Sequence, residues 1–215
     1  MMDELELLKK DWQNKEEHLP KLSYEEIYTM IWKKSSSIVK WILIISILEL
    51  IIPNLFYLSP SVREDIVFGS GIFNTVYMSF TTLYYGVVIY FIFQFYRRYK
   101  EISVLDSSKN LMRKIIRVRK TVKHYIIFCL SMTLVFFVIF IFGIYLDDSL
   151  LLSIDGVSEK LDEVPLEKFK TMASLVIAIG GIVVVGLLGG IYFLLYGLLL
   201  RKLNRNYKEL KRLEV

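Results

Sequence analysis

The chain has 215 residues, of which 54% are hydrophobic and 14% aromatic, with a formal net charge of +5 and one cysteine. A mean hydropathy of +0.47 is too apolar for a water-soluble domain of this length, and a lone cysteine excludes both a disulfide framework and a CxxC metal or redox motif. The apolar excess sits in four stretches nearly free of charge, while the 27 Lys and Arg and 22 Asp and Glu residues crowd the segments between them. A soluble helical core would be striped, whereas these stretches are apolar around the whole helix circumference.

Taken in chain order, Leu5, Leu8 and Trp12 recur at helical spacing before Pro20 breaks the run, which predicts a short amphipathic helix. Ser23 followed by Glu26 is a capping box, and Ile27, Met30 and Ile31 then give an apolar edge leading to Trp32. Residues 1–36 therefore read as amphipathic cytoplasmic helices, with the second lying at the inner membrane surface and Trp32, Lys33, Lys34 and Trp41 as interfacial anchors. The apolar stretch that follows is too long for a signal-peptide core and is expected to stay as an anchor.

The four spans are predicted at about Ile38–Leu58, Ile66–Tyr96, Tyr125–Leu146 and Thr171–Leu200, each long enough for a hydrocarbon core of about 30 Å at 1.5 Å per residue. The fold class expected is all-α: a polytopic four-helix transmembrane bundle over residues 37–200, with cytoplasmic helical extensions including 201–215. Lys and Arg set the orientation. The loop Arg97–His124 carries ten basic residues against two acidic ones and the tail from Arg201 six against two, whereas Ser59–Asp65 holds one basic residue and Asp147–Lys170 three against seven acids. Both termini and the middle loop are thus expected in the cytoplasm of a cell whose plasma, or inner, membrane holds the chain.

Leu111, Ile115, Val118 and Val122 fall on one face of the middle loop, so the third helix should begin near Asp106 or Ser107, well before lipid. Leu203, Tyr207 and Leu210 repeat the pattern in the tail. Pro165 suits a helix first turn and Glu167 favours its dipole, which predicts one long rod from Pro165 to Leu213. These extensions are expected to form a small bundle beneath the membrane.

Glu49 is the one ionisable residue inside a predicted hydrocarbon zone, near the middle of the first span. Its position costs about 2.5–3.5 kcal/mol or more, so it should face the bundle and be hydrogen-bonded or protonated. Ser46 lies one turn below it, Pro53 one turn above frees a carbonyl and bends the helix, and Asn74, Tyr77, Thr81 and Tyr84 or Tyr85 form a polar stripe on the second span. These residues are the candidate polar site: a hydrated proton or cation pocket, or a hydrogen bond that holds helices together. Gly186 and Gly190 make a GxxxG step, the candidate for close helix packing within the chain or between copies.

No cofactor or metal site is expected. Cys129 reads as a small hydrophobe, and His18 and His124 as surface residues without a third ligand. No phosphate loop, GxSxG elbow or HExxH is present, so the chain is not expected to be an enzyme. Nucleic acid is not an expected partner either, because the basic loop is held close to lipid headgroups.

Met2–Gln13 and Leu22–Trp41 together resemble the N-terminal region of small four-span inner-membrane proteins of Bacteroidota-type bacteria. Such proteins sometimes carry a carotenoid-oxygenase label, which implies iron held by several histidines; this chain has two. Two functions follow from the residues. The first is a non-enzymatic scaffold, whose patterned cytoplasmic helices dock a cytoplasmic or membrane protein, with self-association also open. The second is a small proton- or cation-coupled carrier or channel built around Glu49.

Overall fold

The computed structural model describes residues 23–56, 72–102, 107–146 and 165–213, and among them the only regular structure is helical. The helices are α1 (Tyr24–Phe56), α2 (Ile72–Glu101), α3 (Ser108–Leu146), α4 (Leu166–Tyr192) and α5 (Leu198–Leu213), with a π-helical turn, Phe193–Gly197, joining the last two. Counting α4 to α5 as one rod, four helices among the described residues are long and apolar enough to cross a membrane. The run Leu5–Trp12, Pro20, His18 and the loops Ser59–Asp65 and Asp147–Val164 lie outside the described residues.

Helix starts follow their caps. The backbone N–H of Ser23 donates to Glu26 Oε2 at 2.8 Å while that of Glu26 donates to Ser23 Oγ at 3.2 Å, closing the reciprocal capping box. Ser107 does the same service for α3, accepting from the N–H of Asn110 with its hydroxyl and from that of Leu111 with its carbonyl. The capping box does not open a separate surface helix. α1 runs without a break for 33 residues, about 50 Å, so the segment expected to lie flat continues the axis of the first span. Trp32 is packed against the core, not anchored outside it, while Trp41, Lys33 and Lys34 face outward. Met30 is exposed too, leaving Ile27 and Ile31 to form the inward edge.

The helices pack in sequence: α1 on α2, α2 on α3 and α3 on α4. At the end that carries the basic segments, here the basic end, α5 closes the row into a ring by packing on both α1 and α3. Leu111, Ile115, Val118 and Val122 of α3 and Leu203 and Leu210 of α5 are buried there with Ile31, Val39 and Ile42 of α1, so the predicted apolar edges meet one another. Hydrogen bonds lock this end: Asn206 Nδ2 to Ser35 Oγ (3.0 Å, buried), Arg119 to Asn204 Oδ1 (2.7 Å) and Tyr24 with Ser108 (2.6 Å). Glu101 takes Arg97 and Arg98 at 3.1 and 2.9 Å, and Lys114 Nζ donates to its carbonyl, tying α2 to α3.

Toward the far end the row stays open, because α1 and α4 share no extended contact among the described residues. Close packing there uses two glycines that the GxxxG pattern did not single out. A Cβ on Gly181 would lie 2.8 Å from Phe137 Cγ, and one on Gly143 would run into the Phe73 ring. Gly186 and Gly190, expected to pack helices, instead face outward with no other atom within 4 Å of where their Cβ would sit.

Candidate functional site

Glu49 lies half-buried on α1, and its carboxylate is held from α3: Tyr125 Oη donates to Oε2 at 2.7 Å. Tyr125 is itself fixed edge-on between Phe91 and Phe95 of α2, with centroids 5.5 Å away in each case, and against Tyr196 at 6.0 Å. The second carboxylate oxygen, Oε1, is buried without a hydrogen-bond partner, and so is the hydroxyl of Tyr196, which neighbours the same carboxylate. Tyr196 comes from the π-helical turn. That turn sets Tyr192 and Tyr196 almost in line, with centroids 5.9 Å apart. Single π turns recur at functional sites because they shift one side chain out of α-helical register. Cys129, one turn along α3 from Tyr125, completes the cluster with Tyr84 of α2.

This geometry revises the expected depth of Glu49. Its partner Tyr125 directly follows Lys123 and His124, and Phe95 precedes Arg97 by two residues. The carboxylate therefore sits level with the start of the charged segments of α2 and α3, not midway along the apolar bundle. The reason is stagger: α1 is displaced along its axis relative to its neighbours, and a helical side chain leans toward its own N-terminus, here the basic end. Pro53 removes the N–H that the Glu49 carbonyl would otherwise accept from, while Asn54 Nδ2 caps the Leu50 carbonyl at 2.6 Å.

About one and a half turns further along α1, roughly 7–8 Å, a cavity of about 650 Å³ opens between α1, α2, α3 and α4. Tyr77, Thr81, Tyr84 and Tyr85 line it from α2, so most of the predicted polar stripe does share one hollow. Tyr85 donates to Asn54 Oδ1 at 3.0 Å, and the Thr81 hydroxyl is buried with no partner. Phe136, Phe137 and Phe140 of α3 supply the opposite wall. Asn74 and Ser46 are not among the lining residues, and neither is Glu49; Ser46 is buried and spends its hydroxyl on the Leu43 carbonyl of its own helix. Tyr84 is the link, since it lines the cavity, stacks on Phe128 and neighbours the Glu49 cluster.

Tyr125, Tyr192 and Tyr196 were not picked out from sequence. A signal exists for two of them: Tyr192 and Tyr196 stand one turn apart as the only side chains with a polar atom in a stretch that is otherwise apolar and glycine-rich. No group of three or more His, Cys, Asp and Glu able to hold a metal is found among the described residues, and His124 is exposed.

The family described as a domain of unknown function (DUF8845) matches residues 25–215. The chain belongs to that family. No curated protein and no solved structure matches it. The matched region contains every residue of the Glu49 cluster and of the cavity, so the arrangement lies within the family domain.

The two tyrosines that flank Glu49 should respond differently to loss of their hydroxyls. Tyr125→Phe removes the one hydrogen bond the carboxylate has and should lower stability by about 1 kcal/mol, measured by unfolding in mixed micelles of rising SDS fraction. Tyr196→Phe removes a hydroxyl that neighbours the carboxylate without a formed hydrogen bond in this arrangement, and should lower that midpoint by less than Tyr125→Phe does.

Proposed function

We propose that this protein is a small proton-coupled carrier of the inner membrane, with Glu49 as its proton site and both termini in the cytoplasm. The observation that carries this reading is the pair of adjacent orphaned atoms, Glu49 Oε1 and Tyr196 Oη, beside the Tyr125 bond. A phenol hydroxyl both donates and accepts. Protonated at Oε1, Glu49 donates to Tyr196; ionised, it accepts from Tyr196 and Tyr125 together. Both states are then fully hydrogen-bonded, which is what a group that must repeatedly gain and lose a proton in a water-poor site requires.

The placement supports the same reading. Glu49 stands between the aromatic cavity and the basic end, so a proton can be exchanged on one side and a solute held on the other. The scaffold expectation loses part of its motivation: the apolar edges of α1, α3 and α5 are occupied by one another, leaving, among the described residues, the outward basic faces for any docked partner.

Purified protein in liposomes containing a pH-sensitive dye tests the carrier reading. Faster proton movement than in empty liposomes under an imposed gradient is the expected result, and equality under every gradient tried would remove it. Orientation is tested separately. In a Cys129→Ser background, single cysteines replacing Ser61 and Ser158 should react with a membrane-impermeant thiol reagent in intact spheroplasts, and one replacing Ser107 should not. Labelling of position 107 alone reverses the assignment.

A further inference from the structure

The cavity beyond Glu49 has a lining that specifies its occupant more narrowly than its volume does. At about 650 Å³ it falls within the range of about 300–1,000 Å³ typical of small-molecule sites. Among the described residues no Lys, Arg, Asp or Glu lines it, so an ion held against these walls would lose its hydration without finding a counter-charge there. The walls are largely aromatic and braced by one another: Tyr84 stacks on Phe128 behind it at an interplanar angle of 11°, with Phe136 edge-on at 6.0 Å, and Tyr77 lies 5.7 Å from Phe136. Aromatic walls of this kind select flat, polarisable molecules through offset and edge contacts. Thr81 adds one hydroxyl that is buried and unpartnered, a cost that a ligand's own hydroxyl or carbonyl would relieve.

The route in is also marked. Met78 lines the cavity and is 51% exposed, and among the described residues α1 and α4 share no extended contact. One wall of the cavity is thus a side chain that also faces the apolar surroundings of the helices, the side from which a molecule dissolved in lipid would reach it.

We infer that this cavity binds a neutral, flat, lipid-dissolved molecule bearing a single hydroxyl or carbonyl group, with Thr81 as its hydrogen-bond partner. The inference deepens the carrier reading by naming the solute class.

The test uses the full chain in mild detergent with two probes of one ring system, hydroxypyrene and pyrenecarboxylate, and reads the thermal midpoint from loss of the monodisperse peak. Hydroxypyrene should raise the midpoint saturably, by about 5 °C at roughly a hundredfold excess over its Kd, and pyrenecarboxylate should not. Thr133→Phe fills the cavity and should abolish the shift. The Thr133 hydroxyl donates to the Cys129 carbonyl of its own helix, so no cross-helix hydrogen bond is lost. Should Thr133→Phe fail to fold, Thr81→Val decides, because losing one hydrogen bond should weaken hydroxypyrene about fivefold. Equal shifts from both probes, no saturable shift, or a shift unchanged in both variants would overturn the inference. Glu49→Gln should keep the full shift. Binding without any proton flux in the wild type would sink the carrier reading alone, and flux without binding would sink the solute class alone.

Discussion

Glu49→Gln in liposomes is expected to pass protons no faster than empty vesicles, while its unfolding midpoint in SDS stays within about 1 kcal/mol of wild type. An amide oxygen can still accept from Tyr125 and its NH₂ can donate to Tyr196, so the local bonding survives. What disappears is the titratable proton. Glu49→Leu separates this from a structural role: it leaves the fully buried Tyr125 with no acceptor, at about 1–3 kcal/mol, and also blocks flux. A hydrogen-bonding strut tolerates Gln and is weakened by Leu, whereas a proton site fails with either. Wild-type flux in Glu49→Gln would return Glu49 to the role of a strut.

The second large effect concerns the glycines. Gly181→Leu should destabilise the protein by about 3 kcal/mol or more, because even its first carbon would meet the base of the Phe137 ring, which cannot swing aside as a ring edge can. Gly143→Leu should be at least as damaging, since the Phe73 ring atoms it meets lie closer still and that ring is itself buried among Tyr77, Phe140 and Ile144. Gly186→Leu and Gly190→Leu should be neutral for a single chain, as nothing lies within 4 Å of either. SDS titration of the four variants under conditions where the wild type is monomeric checks the ranking. A loss at Gly186 equal to that at Gly181 would mean that α4 is rotated from the orientation described.

Much of the fold was legible because it is written locally. The Ser23–Glu26 box fixed the start of α1, the spacing of Leu111, Ile115, Val118 and Val122 fixed the buried face of α3, and Pro165 with Glu167 marked the start of the long rod. The site was harder. The stripe Tyr77–Thr81–Tyr84 gave the cavity wall, since residues three to four apart share a helix face whatever surrounds them. The partner of Glu49 depends instead on how far α1 is staggered against α3, and on a π-helical turn that leaves no compositional trace. Charge counting places span ends to within a turn or so, and that uncertainty was enough to put Glu49 in mid-bundle and to hide its pairing with Tyr125. Which glycines pack was likewise a question of azimuth: Gly181 and Gly186 lie on different sides of one helix, and the GxxxG spacing alone does not say which side meets a neighbour.

The ring at one end and the open row at the other give the molecule a gradient of stiffness. The basic end is braced by a buried Asn206–Ser35 bond, by Arg119 on Asn204 and by a continuous aliphatic core, while among the described residues α1 and α4 share no extended contact where the cavity lies. Such a body deforms like tweezers gripped at the base: its tips move easily and its fulcrum resists. Under the carrier reading the form described here is therefore the one loaded from the far end, and discharge toward the basic end requires the fulcrum itself to yield. Tyr196 sits at that fulcrum, in the turn where the long rod already departs from α-helical register, so the proton on Glu49 and the stiffness of the brace are set at the same place.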